Sequence, residues 1–154
     1  MGIQVLRKAV ELFPDKSDPN FYLGNALCQA KQYKEAIQYL KKGIEYSPKV
    51  SDSYYLLIQS YEQTALLDSA VSLGKEALQK FSTTILIRDA VCDVYMAREE
   101  YETAFAHADT LLELVGSDPT YWKKAIGIRQ LAGYDFDAGQ LYQRGLDVGV
   151  NFDK

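Results

Sequence analysis

Ala36, Ala70, Ala104 and Ala138 stand 34 residues apart with no insertion between them. A fixed period of this length constrains the fold more than any other feature, because like segments adopt like structures and stack on their neighbours. Other columns keep the same frame. Ile44, Leu78, Leu112 and Leu146 form one, and Leu23, Leu57, Val91 and Ala125 another. Leu27, Tyr61 and Tyr95 form a third until Arg129 interrupts it, and Tyr33, Leu67 and Tyr101 a fourth that ends at Asp135 or its neighbour Phe136.

Within a period the apolar residues recur at three and four. Leu23, Leu27 and Ala30 line one face, then Ile37, Leu40 and Ile44 line a second, with a break near Lys31 and Gln32. Leu57 and Tyr61 precede a break near Ala65 and Leu66, after which Val71, Leu78 and Phe81 follow. This is helical periodicity twice per unit, and breaks this short predict antiparallel helical hairpins. Helix starts are expected where Asp18 precedes Pro19 and where Asp118 precedes Pro119, with the Asp as cap. Ser51 and Asp52 offer the same capping chemistry, and Pro48 closes the helix before them.

The pattern resembles the tetratricopeptide repeat family over almost the whole chain. Residues 17–50 carry Leu23, Gly24, Ala36 and Pro48 in the family's slots, with Asn20 for Trp, Leu27 for Tyr, Leu40 for Phe and Gly43 for the second Ala. Residues 51–84 keep Leu57, Tyr61, Ala70 and Ala77, with Ser82 for Pro. Residues 85–118 keep Tyr95 and Ala104, with Cys92 in the Gly slot. Residues 119–152 are a looser copy that retains Trp122 and Ala138. The resemblance implies an all-α fold, a right-handed superhelix (α-solenoid) of antiparallel hairpins. The Ala column would lie where two helices cross closely, and a larger side chain there would overpack.

Ile3, Leu6, Ala9, Val10 and Pro14 continue the frame backwards, so residues 1–16 read as the second helix of a repeat whose first helix is missing. The expectation is that the chain begins mid-repeat, as a piece of a longer array. At the other end, Val148 to Phe152 show no extra polar helix to cap the stack. Both ends are expected to expose apolar surface, open to further repeats or to another copy of the chain.

No catalytic constellation is legible. The net charge is −4, from 17 basic and 21 acidic side chains, which argues against a nucleic-acid partner. No apolar run reaches the roughly 20 residues of a membrane span, and no targeting segment is recognisable. His107 is the single histidine, which excludes zinc chemistry of the HExxH type. Cys28 and Cys92 have no metal-ligand spacing; Cys92 reads as a packing residue and Cys28 as partly exposed. Asp89 and Asp93 lie four apart and share one helical face, too few oxygens for a metal site without further ligands. The expectation is therefore no cofactor, no metal and no enzyme activity.

In the resembled family the first helices line a concave groove that touches bound peptides. By matching slots, the groove here would present Phe21, Tyr22 and Asn25, then Tyr55, Gln59 and Glu62, then Asp89 and Asp93, and finally Lys123 and Lys124. That surface would run from aromatic through acidic to basic, suited to a protein or peptide partner. One subfamily holds chaperone C-termini with a Lys-Asn-Asn-Lys-Arg clamp. Here only Asn25 matches; Phe21, Leu56, Leu86 and Ala90 fill the other slots, so a free carboxylate is not the expected ligand. The resemblance thus implies an interaction scaffold. The alternatives are a self-assembly module stacking through its ends, or the non-catalytic arm of a larger protein.

Overall fold

A computed structural model describes residues 2–153; Met1, the expected start of the incomplete repeat, lies outside the described residues. These fold into nine helices with no strand among them: α1 (Ile3–Leu12), α2 (Ser17–Gln29), α3 (Tyr33–Tyr46), α4 (Ser51–Gln63), α5 (Leu67–Lys80), α6 (Ile85–Ala97), α7 (Tyr101–Val115), α8 (Pro119–Leu131) and α9 (Asp135–Asp147). They fall into two compact units, Met1–Ala90 and Val91–Lys154, divided within α6.

The period is written in the backbone as well as in the side chains. Lys31, Ala65 and Glu99 adopt left-handed φ values of 58°, 58° and 61°, and Gly133, next in the same register, adopts 82°. Each sits in the short turn between the two helices of a hairpin. A non-glycine residue in this region carries a steric cost of roughly 1 kcal/mol, so four turns of one geometry reflect packing that overrides local preference. The turn donates from the residue after the left-handed one: Gln32, Leu66, Glu100 and Tyr134 give their N–H groups to the carbonyls of Leu27, Tyr61, Tyr95 and Arg129.

In unit 1, α2 packs on α3, α3 on α4 and α4 on α5, with α1 against α2. The alanine column is buried, as Ala36 and Ala70 show. Close approach is also made through glycine. A Cβ built on Gly24 would stand 2.7 Å from the Leu40 side chain, so the smallest residue on α2 makes room for a large one on α3. The next hairpin reverses the sizes, with Ile58 and Gly74 at the same two registers, and the third carries Cys92 and Ala108. Volume is shared between paired positions and need not be kept at either one.

In unit 2, α8 packs against both α7 and α9. Ala104, Ala108, Leu111, Trp122, Ala125 and Leu141 are buried. Cys92 is fully buried and its thiol donates to the Ala104 carbonyl at 3.4 Å.

The capping expectations divide. Asp118 does cap α8, accepting from Thr120 N at 2.9 Å with Pro119 in the first turn. Asp18 does not cap α2: that helix starts at Ser17, with Lys16 in the capping position. The Ser17 hydroxyl donates instead to the Gly43 carbonyl of α3 at 3.1 Å, and this tertiary bond holds Ser17 inside the helix. Asp18 still lies in the first turn, where a negative charge suits the helix dipole. Likewise α4 begins at Ser51 behind Val50, without a side-chain cap.

Both ends expose some apolar side chains and bury others. Leu6 is buried, on the helix that packs against α2, while Val5, Leu12 and Phe13 are the exposed apolar residues near α1. At the other end the tail folds back. Val150 is buried, and the Phe152 ring stacks on Tyr142 at 4.5 Å and fills the space beside Gly145 and Trp122. Leu146 and Val148 remain exposed.

Candidate functional site

The candidate residues of unit 1 lie on its first-of-pair helices and at the start of α6. On α2, Phe21 and Tyr22 meet edge to face at 5.4 Å, and Gln29 Nε2 donates to Asn25 Oδ1 at 3.4 Å. Tyr22 is 55% exposed, whereas Phe21 and Asn25 are half-buried. Beside them Leu6, Tyr22, Asn25, Ala26 and Gln29 line a cleft of about 170 Å³. On α4, Gln59 Nε2 donates to the Tyr55 hydroxyl at 2.8 Å, with Glu62 half-buried one turn on. Asp89, on α6, is half-buried.

In unit 2, Lys124 and Asp93 pair at 2.7 Å, so the expected acidic and basic stretches meet and partly neutralise each other. Lys123 is exposed beside them. His107 stacks on Tyr95 at 5.3 Å with the rings 13° apart, a packed position. In unit 1 the Cys28 thiol lies 3.2 Å from the Ser60 hydroxyl, and burial raises its pKa, which disfavours the reactive thiolate. Among the described residues no group of three or more His, Cys, Asp or Glu is placed to hold a metal ion, and no helix is long and apolar enough to cross a membrane.

Two constellations were not expected from the sequence. The first explains the departures at the family's Trp slot. Trp122 Nε1 donates to the carbonyl six residues back, Gly116 O, at 2.7 Å. Asn20 Nδ2 donates to Pro14 O at 2.9 Å and Arg88 Nη2 to Ser82 O at 3.0 Å, the same offset each time. The slot selects an N–H donor that ties a helix to the loop before it, and indole, amide and guanidinium all qualify. Tyr54, in the remaining copy, uses its hydroxyl across the hairpin with Glu76 and Lys80. The second constellation is Arg129, which interrupts the aromatic column. It is 8% exposed, its Nη2 donates to both Asp109 oxygens at 2.7 and 2.8 Å, its Nη1 donates to Ala125 O at 3.1 Å, and its guanidinium covers the Phe105 ring at 4.8 Å. Comparing hydrogen-bond donors along each column, instead of matching residue letters, would have flagged both.

Residues 2–61 match the sequence profile of the tetratricopeptide repeat family. The chain is similar to the UDP-N-acetylglucosamine–peptide N-acetylglucosaminyltransferase of Giardia intestinalis, 35% identical over 74 residues, 44% of this chain and 5% of that protein. It is 25% identical over 144 residues to anaphase-promoting complex subunit 7 of Dictyostelium discoideum, covering 93% of this chain and 23% of that one. The chain thus spans less than a quarter of either curated relative. Its fold is that of a thermophilic tetratricopeptide-repeat protein of Thermus thermophilus, at a TM-score of 0.74 and 16% identity over 96% of this chain and 81% of the other. The fold class is therefore a helical-repeat solenoid.

Proposed function

We propose that the chain is a non-enzymatic scaffold that holds a peptide or an extended protein segment against the first helices of its hairpins. In unit 1 these are α2 and α4, with Phe21, Tyr22, Asn25, Tyr55, Gln59 and Glu62 as contacts, joined by Asp89 at the start of α6. In unit 2 it is α8, where Lys123 and the Asp93–Lys124 pair supply charge. The carrying observation is the exposed Tyr22 ring at a cleft of about 170 Å³ with an apolar floor and two side-chain amides at its rim. Small-molecule sites usually span roughly 300–1,000 Å³. This one suits a single anchoring side chain, with Asn25 and Gln29 within reach of the adjoining backbone. An aromatic anchor beside adaptable polar groups is the usual composition of a peptide-binding surface.

Selection of displayed peptides on the 154-residue chain tests this reading. The selected peptides should lose about tenfold or more in affinity on Tyr22→Ala with Tyr55→Ala, while the circular dichroism spectrum keeps its helical form. Selected peptides that bind the double variant as well as the parent would place the interface elsewhere.

A second reading is favoured by the exposed Val5, Leu12 and Phe13 around α1. That surface suits further repeats or a second copy, with the chain as the non-catalytic arm of a longer protein. Concentration-dependent sedimentation that Val5→Lys and Leu12→Lys abolish would support self-association, and a strictly monomeric chain would count against it.

A further inference from the structure

We propose that the α8–α9 turn of unit 2 is a docking surface for a basic amphipathic protein segment, one whose apolar anchors are flanked by lysine or arginine. The turn exposes Leu131 by 82% and Phe136 by 77%, the two most exposed large apolar side chains among the described residues. Tyr134 lies between them, partly exposed, its ring fixed edge-on against Phe105 at 5.2 Å. Three large apolar side chains exposed within one six-residue segment exceed the scattered single residues normal on a surface.

The other hairpins show that another stacked repeat would not cover this patch. At the register of Phe136 they carry Lys34, Asp68 and Glu102, and at the register of Leu131 they carry Gln29, Gln63 and Ala97. All six are exposed. Gln29 and Lys34 stay exposed although α4 already packs on α3 in unit 1. The position faces solvent within a completed stack, so apolar residues there answer to some other partner.

Charge selects the chemistry of that partner. Glu99, Glu100 and Glu102 line a cleft of about 380 Å³ together with Tyr134, and Asp135 and Asp137 are exposed in the first turn of α9. Arg98 pairs with Glu100 at 2.6 Å and offsets one of these carboxylates. Residues 91–154 hold eleven acidic and six basic side chains, a net charge of −5, whereas residues 1–90 carry +1. An anionic membrane or a nucleic acid would be repelled by this rim. A cationic segment would be steered to it, with association that weakens as salt rises.

The probe is a labelled peptide of about 18 residues with leucines on one helical face and lysines on the other. Its control replaces every lysine with glutamate. Fluorescence anisotropy against the 154-residue chain should show binding of the lysine peptide only. Leu131→Gln with Phe136→Glu gives the turn residues the chain already uses at these registers, and should weaken binding about tenfold or more at unchanged helicity. Glu99→Lys with Glu102→Lys should weaken it several-fold and flatten its salt dependence. Tyr22→Ala should leave it unaltered. Equal binding of the glutamate peptide, an unchanged dissociation constant in the Leu131/Phe136 variant, or loss of binding in Tyr22→Ala would each overturn the proposal. So would self-association that the Leu131/Phe136 variant abolishes, because the occupant would then be a second copy.

Discussion

The two units hold consecutive helices together at one register with opposite arrangements of charge. In unit 1 the second helix of a hairpin supplies the cation: Lys41 of α3 lies over the Tyr61 ring of α4 at 5.7 Å. In unit 2, two repeats on, the cation has moved to the first helix. Arg129 of α8 fills the Tyr61 slot and the Lys41 slot holds Asp109, with Phe105 beneath the guanidinium. The slot requires a large flat group that can be nearly buried, and either a phenol or a guanidinium serves. What must change with it is the partner. Tyr61 carries no charge that has to be met, whereas a desolvated guanidinium without its carboxylate is costly.

Asp109→Ala breaks this comparison most directly. It leaves Arg129 with Ala125 O and the Phe105 face, and should cost about 3 kcal/mol in urea unfolding, with hydrogen exchange accelerated chiefly in α7 and α8. Asp109→Lys with Arg129→Tyr rebuilds the unit 1 arrangement and should recover most of that loss. No recovery would mean that the surroundings, and not the pair, dictate the arginine.

Gly24→Ala tests the shared volume between α2 and α3. Its methyl group would meet Leu40, and the expected cost is about 2 kcal/mol by denaturant titration. Adding Leu40→Ala brings the pair near the Cys92 and Ala108 sizes of the third hairpin. The double variant should lose less than the sum of the two single changes.

Trp122→Phe keeps one aromatic ring but removes the donor to Gly116 O and part of the buried indole, and should cost at least about 1 kcal/mol. Asn20→Leu, at the same slot in unit 1, should cost at least as much because it frees both Pro14 O and Lys16 O. If Asn20→Leu is neutral, the donor rule does not extend across the units.

The turns give the smallest effect on stability, and it has the opposite sign. Lys31→Gly or Ala65→Gly should stabilise by about 0.5–1 kcal/mol, because both residues occupy left-handed backbone that Gly133 reaches without strain. Acid titration should show a comparably modest dependence in unit 1. Glu35 and Glu76 are held below the usual carboxylate range by hydrogen bonds from Arg7 and Lys80. A lowered folded-state pKa contributes stability above the unfolded carboxylate value, and that stability is lost as pH falls through the folded value. Glu35→Gln with Glu76→Gln should flatten the thermal midpoint between about pH 5 and pH 3.

Much of this was legible beforehand. The hairpins, their spacing and the buried alanines follow from apolar residues at three and four and from the period. The places where the columns failed to match family letters were less legible. Asn20, Arg88 and Trp122 look unrelated as residue types and become one device once the carbonyl six residues back is seen to receive all three. Asp89 and Asp93 read as an acidic pair on one helix, yet Asp93 meets Lys124 of α8, a contact between residues 31 apart in sequence.

By itself the sequence determined the helical hairpin as the building unit, because periodicity and short breaks are local properties of a chain that must bury one stripe of each helix. It also determined where the alanine column had to lie, since close crossings leave room for little else. The tertiary structure decided what each departure from the repeat meant. Whether Arg129 was a defect or a latch depended on Asp109, and whether Phe152 was a loose tail or a cover depended on Gly145 and Trp122. It also decided that Leu131 and Phe136 face solvent. Partners of this kind are fixed by distance in space, which the order of residues along the chain does not record.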